Sequence, residues 1–405
     1  MPTRLAKRLE VIQPSATLAV SARAAALRAA GRVIFPFGVG EPDFDTPEHI
    51  REAAKRAIDG GAHRYTHVTG TPELRQAIAA NSVARRGVPC VPEQVVASVG
   101  AKHALFNLAL ALYGPGDEVI IPAPYWVSYP EQVRIVGAEP VIVETLEEQG
   151  WLLGAAALEG ALTPRTKAVI LCTPSNPTGS AYGERALRDL LSVLERHDCW
   201  LILDEIYASL VYDGFRATSA LSLASEALRA RIIVIDGVSK AYAMTGWRIG
   251  WSIAPVAVSR ALDVVQSQST TNPTAIAQAA AVAALTSDQS CVEAMRKQFE
   301  TRRNRMVQAL NRIPGVRCRT PEGAFYAFAD FRGLYGIRSP HAASGELTSD
   351  LEVAKFLIEE AGVAAVPGSA FGAPGYLRFS YATSETIIDQ GTEAVRVAVE
   401  RARQA

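Results

Sequence analysis

The sequence has no surplus of charge. Its 405 residues carry 41 Lys plus Arg against 41 Asp plus Glu. It therefore lacks the basic excess that binding nucleic acid requires and the polybasic stretch that holds a chain to an anionic membrane. Long apolar runs are missing too. The longest, 104–113, is interrupted by Asn107 and is far shorter than the ~20 residues of a membrane-spanning helix. The opening run MPTRLAKRLE has no apolar stretch of the kind a secretory signal needs. Acidic residues are absent between Glu10 and Glu41 while Arg23, Arg28 and Arg32 recur. Transit peptides share that bias, but an Ala-rich amphipathic first helix accounts for it. Cysteine is sparse: Cys90, Cys172, Cys199, Cys291 and Cys318 are far apart, with no CxxC pair and no Cys/His cluster. That argues against a disulfide scaffold and against a metal site, and fits a reducing cytoplasm.

What is present describes a globular enzyme-sized chain. The 49% hydrophobic and 20% charged content is ordinary, and enough to bury a sizeable core. The length points to two or three domains. Short Val/Ile-rich runs at 94–99, 118–121, 140–144, 167–172, 200–203, 232–236 and 249–253 read as strands buried on both faces. Helical stretches such as 101–113 and 182–197 lie between them. That alternation predicts an α/β fold with a mostly parallel sheet flanked by helices. The flanks differ. A helix at 17–30 precedes a Pro/Gly-rich segment. After residue 290 a long Arg-rich helix is followed by mixed strands (316–319, 324–330, 376–381) and helices. The expected organisation is a large domain over 48–290 and a smaller α+β domain built from both chain ends, 1–47 and 291–405. The segment 333–349, rich in Gly, Ser, Ala and Pro, reads as a mobile surface loop.

Five places could carry chemistry. Asp204 follows WLIL at a strand's carboxyl end, the edge where open α/β sheets bind ligands. An N-cap for a following helix would equally place an acid there. Tyr207 stands three residues on. Lys240 lies just past the strand 232–236, beside Ser239. A Lys held near other cations can attack carbonyls, whereas a solvated loop Lys does nothing. Arg248, eight positions later, suits a phosphate or a surface ion pair. Val99-Gly100-Ala101-Lys102 joins a strand to a helix, a turn that admits an anion to backbone N–H groups, though many such turns bind nothing. Pro174-Ser175-Asn176-Pro177-Thr178-Gly179 holds an Asn amide rigidly at the sheet edge, or is simply a turn. Arg378 alternates with apolar neighbours on a strand and shares a face with Tyr376 and Ser380. An inward Arg there binds a carboxylate, of a ligand or of the protein itself. Together these residues supply what pyridoxal phosphate chemistry uses: an aldehyde-reactive Lys, an Asp for the ring nitrogen, and cationic and amide groups for phosphate and carboxylate.

The chain resembles the class I aminotransferases of fold type I over nearly its whole length. The resemblance is carried by GEPDFDTP from Gly40, SNPTG from Ser175, DEIY from Asp204, Ser239-Lys240 with AMTGWRIG from Ala243, and LRFSYA from Leu377. It is most similar to the bacterial aspartate/prephenate aminotransferase subgroup through QPSAT from Gln13, PYWVSYP from Pro124 and SQSTT from Ser267. The resemblance implies a pyridoxal phosphate enzyme. Lys240 would join the cofactor aldehyde and move the substrate proton. Asp204 would pair with the ring nitrogen, Tyr207 and Asn176 would meet the phenolic oxygen, and Trp126 would stack on the ring. Gly100, Ala101 and Lys102, with Ser239 and Arg248, would hold the phosphate. Tyr65 would reach it from the partner subunit of a homodimer. Gly40, Trp126, Asn176 and Arg378 would hold the substrate's amino-acid end. Lys102 with Ser15 and Thr17 would read a distal carboxylate, because Ser267 stands where other aspartate aminotransferases have an Arg. Gly237 replaces a phosphate-contacting Ser of many relatives. An aromatic or broad-range aminotransferase and a lyase of the same fold remain open alternatives.

Overall fold

The computed structural model describes residues 5–404. Seven strands form the main sheet: β1 (Val95–Val99), β2 (Glu118–Ala123), β3 (Glu139–Glu144), β4 (Thr166–Cys172), β5 (Trp200–Asp204), β6 (Ile232–Gly237) and β7 (Ile249–Ile253). Their order is β1-β7-β6-β5-β4-β2-β3. The run from β3 through β2, β4 and β5 to β6 is parallel, and β7 lies antiparallel to both β6 and β1. The segment between β6 and β7 is short of the dozen or more residues a parallel crossover needs, so the chain must return antiparallel.

Apolar residues alternate between two helix layers, as the period of a strand requires. On β4, Val169 and Leu171 face a layer containing Leu74, Ile78, Leu187 and Leu190. Ala168 and Ile170 face the opposite one with Leu105, Leu108, Val133 and Leu262. All six residues of β6 are buried, which explains the apolar run 232–235; its one charge, Asp236, is paired with Arg85 and Arg86. The helix expected at 182–197 runs Glu184–Leu194, and that expected at 101–113 runs Ala101–Leu112.

A second sheet holds β8 (Arg317–Cys318), β9 (Tyr326–Asp330), β10 (Val366–Pro367) and β11 (Tyr376–Ser380), ordered β10-β11-β9-β8 and antiparallel throughout. β9 begins two residues later than its apolar pattern suggests, because Ala324 adopts a left-handed φ of 59° and turns the chain before it. Phe299, Phe325, Phe331, Phe356, Phe379 and Ile388 form its core. The helix Ala16–Ala29 packs Ala24 and Leu27 against Ile358 and Ala364, and Arg23 and Arg32 both pair with Glu359. The N-terminal segment is thus fastened to the C-terminal part. The region 333–349 is pinned rather than loosely laid on the surface: Leu334 and Leu347 are fully buried and Arg338 bridges to Glu346.

Candidate active site

The carboxyl ends of β4, β5 and β6 open onto a cavity of about 480 Å³, closed from the other side by β9, β11 and residues 17–41. Register places Cys172, the last residue of β4, beside Asp204, the last of β5. Asp204 is buried without a cationic partner among the described residues. Its Oδ2 accepts from the Tyr129 hydroxyl at 2.6 Å and its Oδ1 from the Ile206 amide at 3.2 Å. Burial pushes its pKa up to about 6, against the pull of these two hydrogen bonds. It does not cap a helix: the backbone after it folds as a turn, with helix resuming only at Ala220.

Lys240 enters from the segment after β6. Its Nζ donates to the Gly40 carbonyl at 2.7 Å and lies 5.8 Å from the Tyr207 ring centre and 5.7 Å from that of Phe325. Burial, with Arg378 and Arg248 nearby, draws its pKa down to about 8 against the opposing pull of Glu41 and Asp204. A substantial part of its population is therefore the neutral, nucleophilic amine at mildly alkaline pH. Ser239 is buried in the same wall. Tyr207 shares a 2.8 Å hydroxyl contact with Tyr326.

Arg378 has no carboxylate partner among the described residues, so the expected choice between ligand and internal ion pair falls against the latter. Its Nη1 donates to Asn176 Oδ1 at 2.8 Å and its Nη2 to the Gly38 carbonyl at 2.9 Å, while Nε is buried and unpartnered. The guanidinium lies 4.4 Å from the Tyr326 ring centre. A fully buried fork whose charge meets only neutral oxygens is prepared for an anion. Asn176 is held by its turn, in which Ser175 and Ser180 pair at 2.8 Å.

A second anion site sits at the other end. Gly100, at φ 85° and ψ 161°, starts the helix Ala101–Leu112. Its own carbonyl takes the His103 and Ala104 amides, whereas those of Ala101 and Lys102 carry no hydrogen bond. Gly250 on β7 lets this turn approach, since a Cβ there would come within 2.2 Å of the Ala101 nitrogen. Arg248 folds over Gly100, donating to the Thr245 and Val99 carbonyls at 2.9 and 3.3 Å. Free amides, a helix N-terminus and an Arg without a carboxylate among the described residues make a cradle that suits an anion such as phosphate. Lys102 points back at the cavity with its Nζ 4.9 Å from the Trp126 ring centre, and burial and Arg248 both lower its pKa. Trp126 stands edge-on to Tyr129 at 5.3 Å. An aromatic wall, an acid, an amine and two anion sites thus surround one space, which fits a phosphorylated pyridine aldehyde together with a carboxylate.

Three expected residues do not line that space: Ser15, Tyr65 and Gly100, the last lying under Arg248 behind Ala101. Ser15 contacts the Thr17 hydroxyl at 2.9 Å, but only Thr17 lines the cavity, because Ser15 stands at the helix N-cap position, one residue outside the helix. Tyr65 is 89% exposed and outside the cavity of its own chain. Gly237 lies against β7 rather than on the cavity wall: a Cβ there would be 3.0 Å from Gly250 Cα. Sequence reasoning missed Tyr129, Tyr326, Cys172 and Glu41 as cavity residues. Tyr129 lies within the quoted PYWVSYP run, yet nothing local to it reveals that its hydroxyl turns towards β5. His103 accepts the Val99 amide on Nδ1 at 3.3 Å and so braces the cradle's approach.

The sequence model for "Aminotransferase class I and II" matches residues 32–395. Among similar proteins, an aspartate aminotransferase of Rhizobium meliloti (strain 1021) is 44% identical, the match covering 98% of this chain and 96% of that protein. An aspartate/prephenate aminotransferase of Cereibacter sphaeroides is 45% identical over 97% of this chain and 98% of its own. Among solved structures, the aspartate aminotransferase from Rhizobium meliloti superposes with a TM-score of 0.94 at 44% identity, covering 98% of this chain and 99% of that one. The Thermus thermophilus aspartate aminotransferase with maleate gives 0.89 at 41% identity, over 97% and 99%.

Proposed function

Because the chain belongs to the class I and II aminotransferases, we propose that it moves an amino group between aspartate or glutamate and a 2-oxo acid, namely 2-oxoglutarate, oxaloacetate or prephenate. One observation carries the reading: a buried, carboxylate-free Arg378 faces the same cavity as Lys240 and Asp204. The cofactor of the family is pyridoxal 5'-phosphate, which when bound supplies an electron sink for the substrate α-carbon. Asp204 would hold a proton on the ring nitrogen, a role suited to a buried carboxylate that lacks any cation of its own among the described residues. Arg248, Ser239 and the amides of Ala101 and Lys102 would bind phosphate. Trp126 would cover the ring, and Tyr207 and Asn176 would bond the phenolic oxygen. Arg378, Asn176 and Gly40 orient the α-carboxylate. Lys240 Nζ takes the α-proton, its lowered pKa making the neutral base available.

At the distal end, Lys102 and Thr17 receive the second carboxylate. Ser15 acts only through Thr17. The names of the relatives, aspartate and aspartate/prephenate aminotransferase, and the maleate in a similar structure support a dicarboxylate. Residues 48–290 hold the cofactor, and 1–47 with 291–405 close over the substrate to exclude water. The working unit is a homodimer in which the exposed Tyr65 reaches across to the other protomer's phosphate. Among the described residues no helix is long and apolar enough to cross a membrane, and the proposed location is the cytoplasm.

The test is a half-reaction. L-aspartate added to the purified holoenzyme without any oxo acid is expected to replace the visible band of the aldehyde cofactor with the band of its aminated form. A band that aspartate leaves unmoved would overturn the dicarboxylate assignment, and turnover surviving Lys240→Ala would overturn the mechanism.

A further inference from the structure

Glu41 is a carboxylate at the rim of a cavity otherwise dominated by cations, and nothing above gives it work. It lies on the loop whose carbonyls serve both key cations: Gly38 receives Arg378 at 2.9 Å and Gly40 receives Lys240 at 2.7 Å. That loop is tied down by side chains that follow these carbonyls in the chain. Glu41 Oε2 accepts from the Thr245 hydroxyl at 2.9 Å, Asp43 pairs with Arg302 at 2.6 Å, and Thr46 donates to the Ala243 carbonyl at 2.7 Å while accepting from Trp247 Nε1 at 3.0 Å. Of these ties, only the Glu41–Thr245 pair lines the cavity, and it joins the Gly40 loop to the segment that carries Lys240 and Arg248.

We propose that Glu41 is a positioning residue for Lys240: anchored on Thr245, it fixes the Gly40 carbonyl that receives the Lys240 ammonium and sets one negative charge beside that nitrogen. This rests on the reading of Lys240 as the residue that engages the cofactor. The charged groups facing Lys240 are Glu41 and Asp204, which favour its protonated form, and Arg378 and Arg248, which oppose it; Tyr207 contributes an uncharged ring. Of the four, Glu41 is the strongest influence. Without it two Arg side chains would face Lys240 against the single carboxylate of Asp204, which is committed to Tyr129. Glu41 thus keeps Lys240 basic enough to take a proton, in a cavity whose other cations, needed for phosphate and carboxylate, would otherwise suppress it. Because Glu41 is exposed, its effect is screened by salt.

The experiment titrates the visible band of the holoenzyme, whose protonation reports the Lys240 nitrogen joined to the cofactor. Glu41→Gln keeps an oxygen that can accept from Thr245 and removes the charge. Its midpoint is expected to fall by about half a unit, with kcat for aspartate lowered and KM not raised. Raising salt towards ~1 M should bring the unsubstituted enzyme part of the way to the same midpoint. Glu41→Asp retains charge but is too short to keep the Thr245 contact, and should fall between the two. An unmoved midpoint in Glu41→Gln would overturn the proposal. So would an unchanged kcat with a lowered KM, which would make Glu41 only a repeller of substrate. A protein that shows no cofactor band at all would instead overturn the underlying assignment of Lys240, so the two failures are distinguishable.

Discussion

Tyr129 and Asp204 form a 2.6 Å hydrogen bond between two buried side chains that come from a helix after β2 and from the end of β5. The tyrosine is the only side-chain donor to this carboxylate among the described residues. Burial alone would drive Asp204 towards its neutral form, and a neutral acid could not hold a proton on a ring nitrogen. The phenol stabilises the anion without a competing positive charge. A cation in its place would neutralise the carboxylate proposed to pair with the cofactor's ring nitrogen.

Tyr129→Phe should therefore weaken function without breaking the fold. The shape is kept, and the loss is one hydrogen bond to a charged group, about 1.5–3 kcal/mol. The expected results are a kcat reduced about tenfold or more and weaker cofactor retention. Steady-state kinetics beside a dialysis measurement of bound cofactor would check both.

The stability of the cofactor-free protein should carry the signature of Asp204. Its pKa is raised in the folded state, from 3.8 to about 6, so the folded chain binds the proton more tightly than the unfolded one. That contribution is complete below about pH 4 and is lost as pH rises through about 6. A raise of this size corresponds to about 3 kcal/mol. Asp204→Asn should remove the penalty, so its gain in Tm over the parent protein should be larger at pH 8 than at pH 5. Equal differences at both pH values would contradict the burial of an unpaired carboxylate.

Lys240 gives the opposite slope. Its folded pKa is depressed to about 8, so the stabilising change appears as pH rises from about 8 towards 10.5, where the unfolded chain also loses its proton. At pH 7 the charged amine is a burden on the cofactor-free fold, and Lys240→Met should raise its Tm there. The rate at which the cofactor-free protein takes up pyridoxal phosphate should climb with pH and level off above about 8, which stopped-flow absorbance would follow.

Gly100→Ala should damage phosphate binding specifically. The residue has φ 85° and ψ 161°, a region open in practice to glycine alone, so strain costs about 1–3 kcal/mol. The new Cβ would also lie 2.3 Å from Arg248 Nη2 and push that guanidinium off the cradle. Cofactor affinity is expected to fall at least tenfold while far-ultraviolet circular dichroism stays unchanged.

Lys102→Ala should separate the two ends of the substrate. If its ammonium reads the distal carboxylate, kcat/KM for aspartate should drop far more than kcat/KM for an apolar amino acid, which never meets it. Equal losses on both substrates would reassign Lys102 to the cofactor alone.

The alternation of Val/Ile runs with helical periodicity was enough to define the sheet, since strands buried on both faces must be apolar throughout; β3 departs from this, for as an edge strand it leaves Glu139, Ile142 and Glu144 exposed. The same alternation also placed Asp204, Asn176 and Lys240 at or just beyond strand ends, because hydrophobic runs stop where the chain meets a ligand edge. The turn GAK and the run LRFSYA made Gly100 and Arg378 visible for the same local reasons. What no local pattern contains is the partner of a side chain distant in sequence. That Arg378 faces an amide and a carbonyl rather than an acid depends on how β11 lies against the turn after β4, 202 residues away. The Tyr129 hydroxyl on Asp204, the Glu41 carboxylate on Thr245 and the exposure of Tyr65 are likewise products of packing. Sequence sets which residues are buried and in what period; the tertiary structure alone decides which polar groups meet, because hydrogen bonds and charges act over a few ångströms and those distances arise only when separate segments come together.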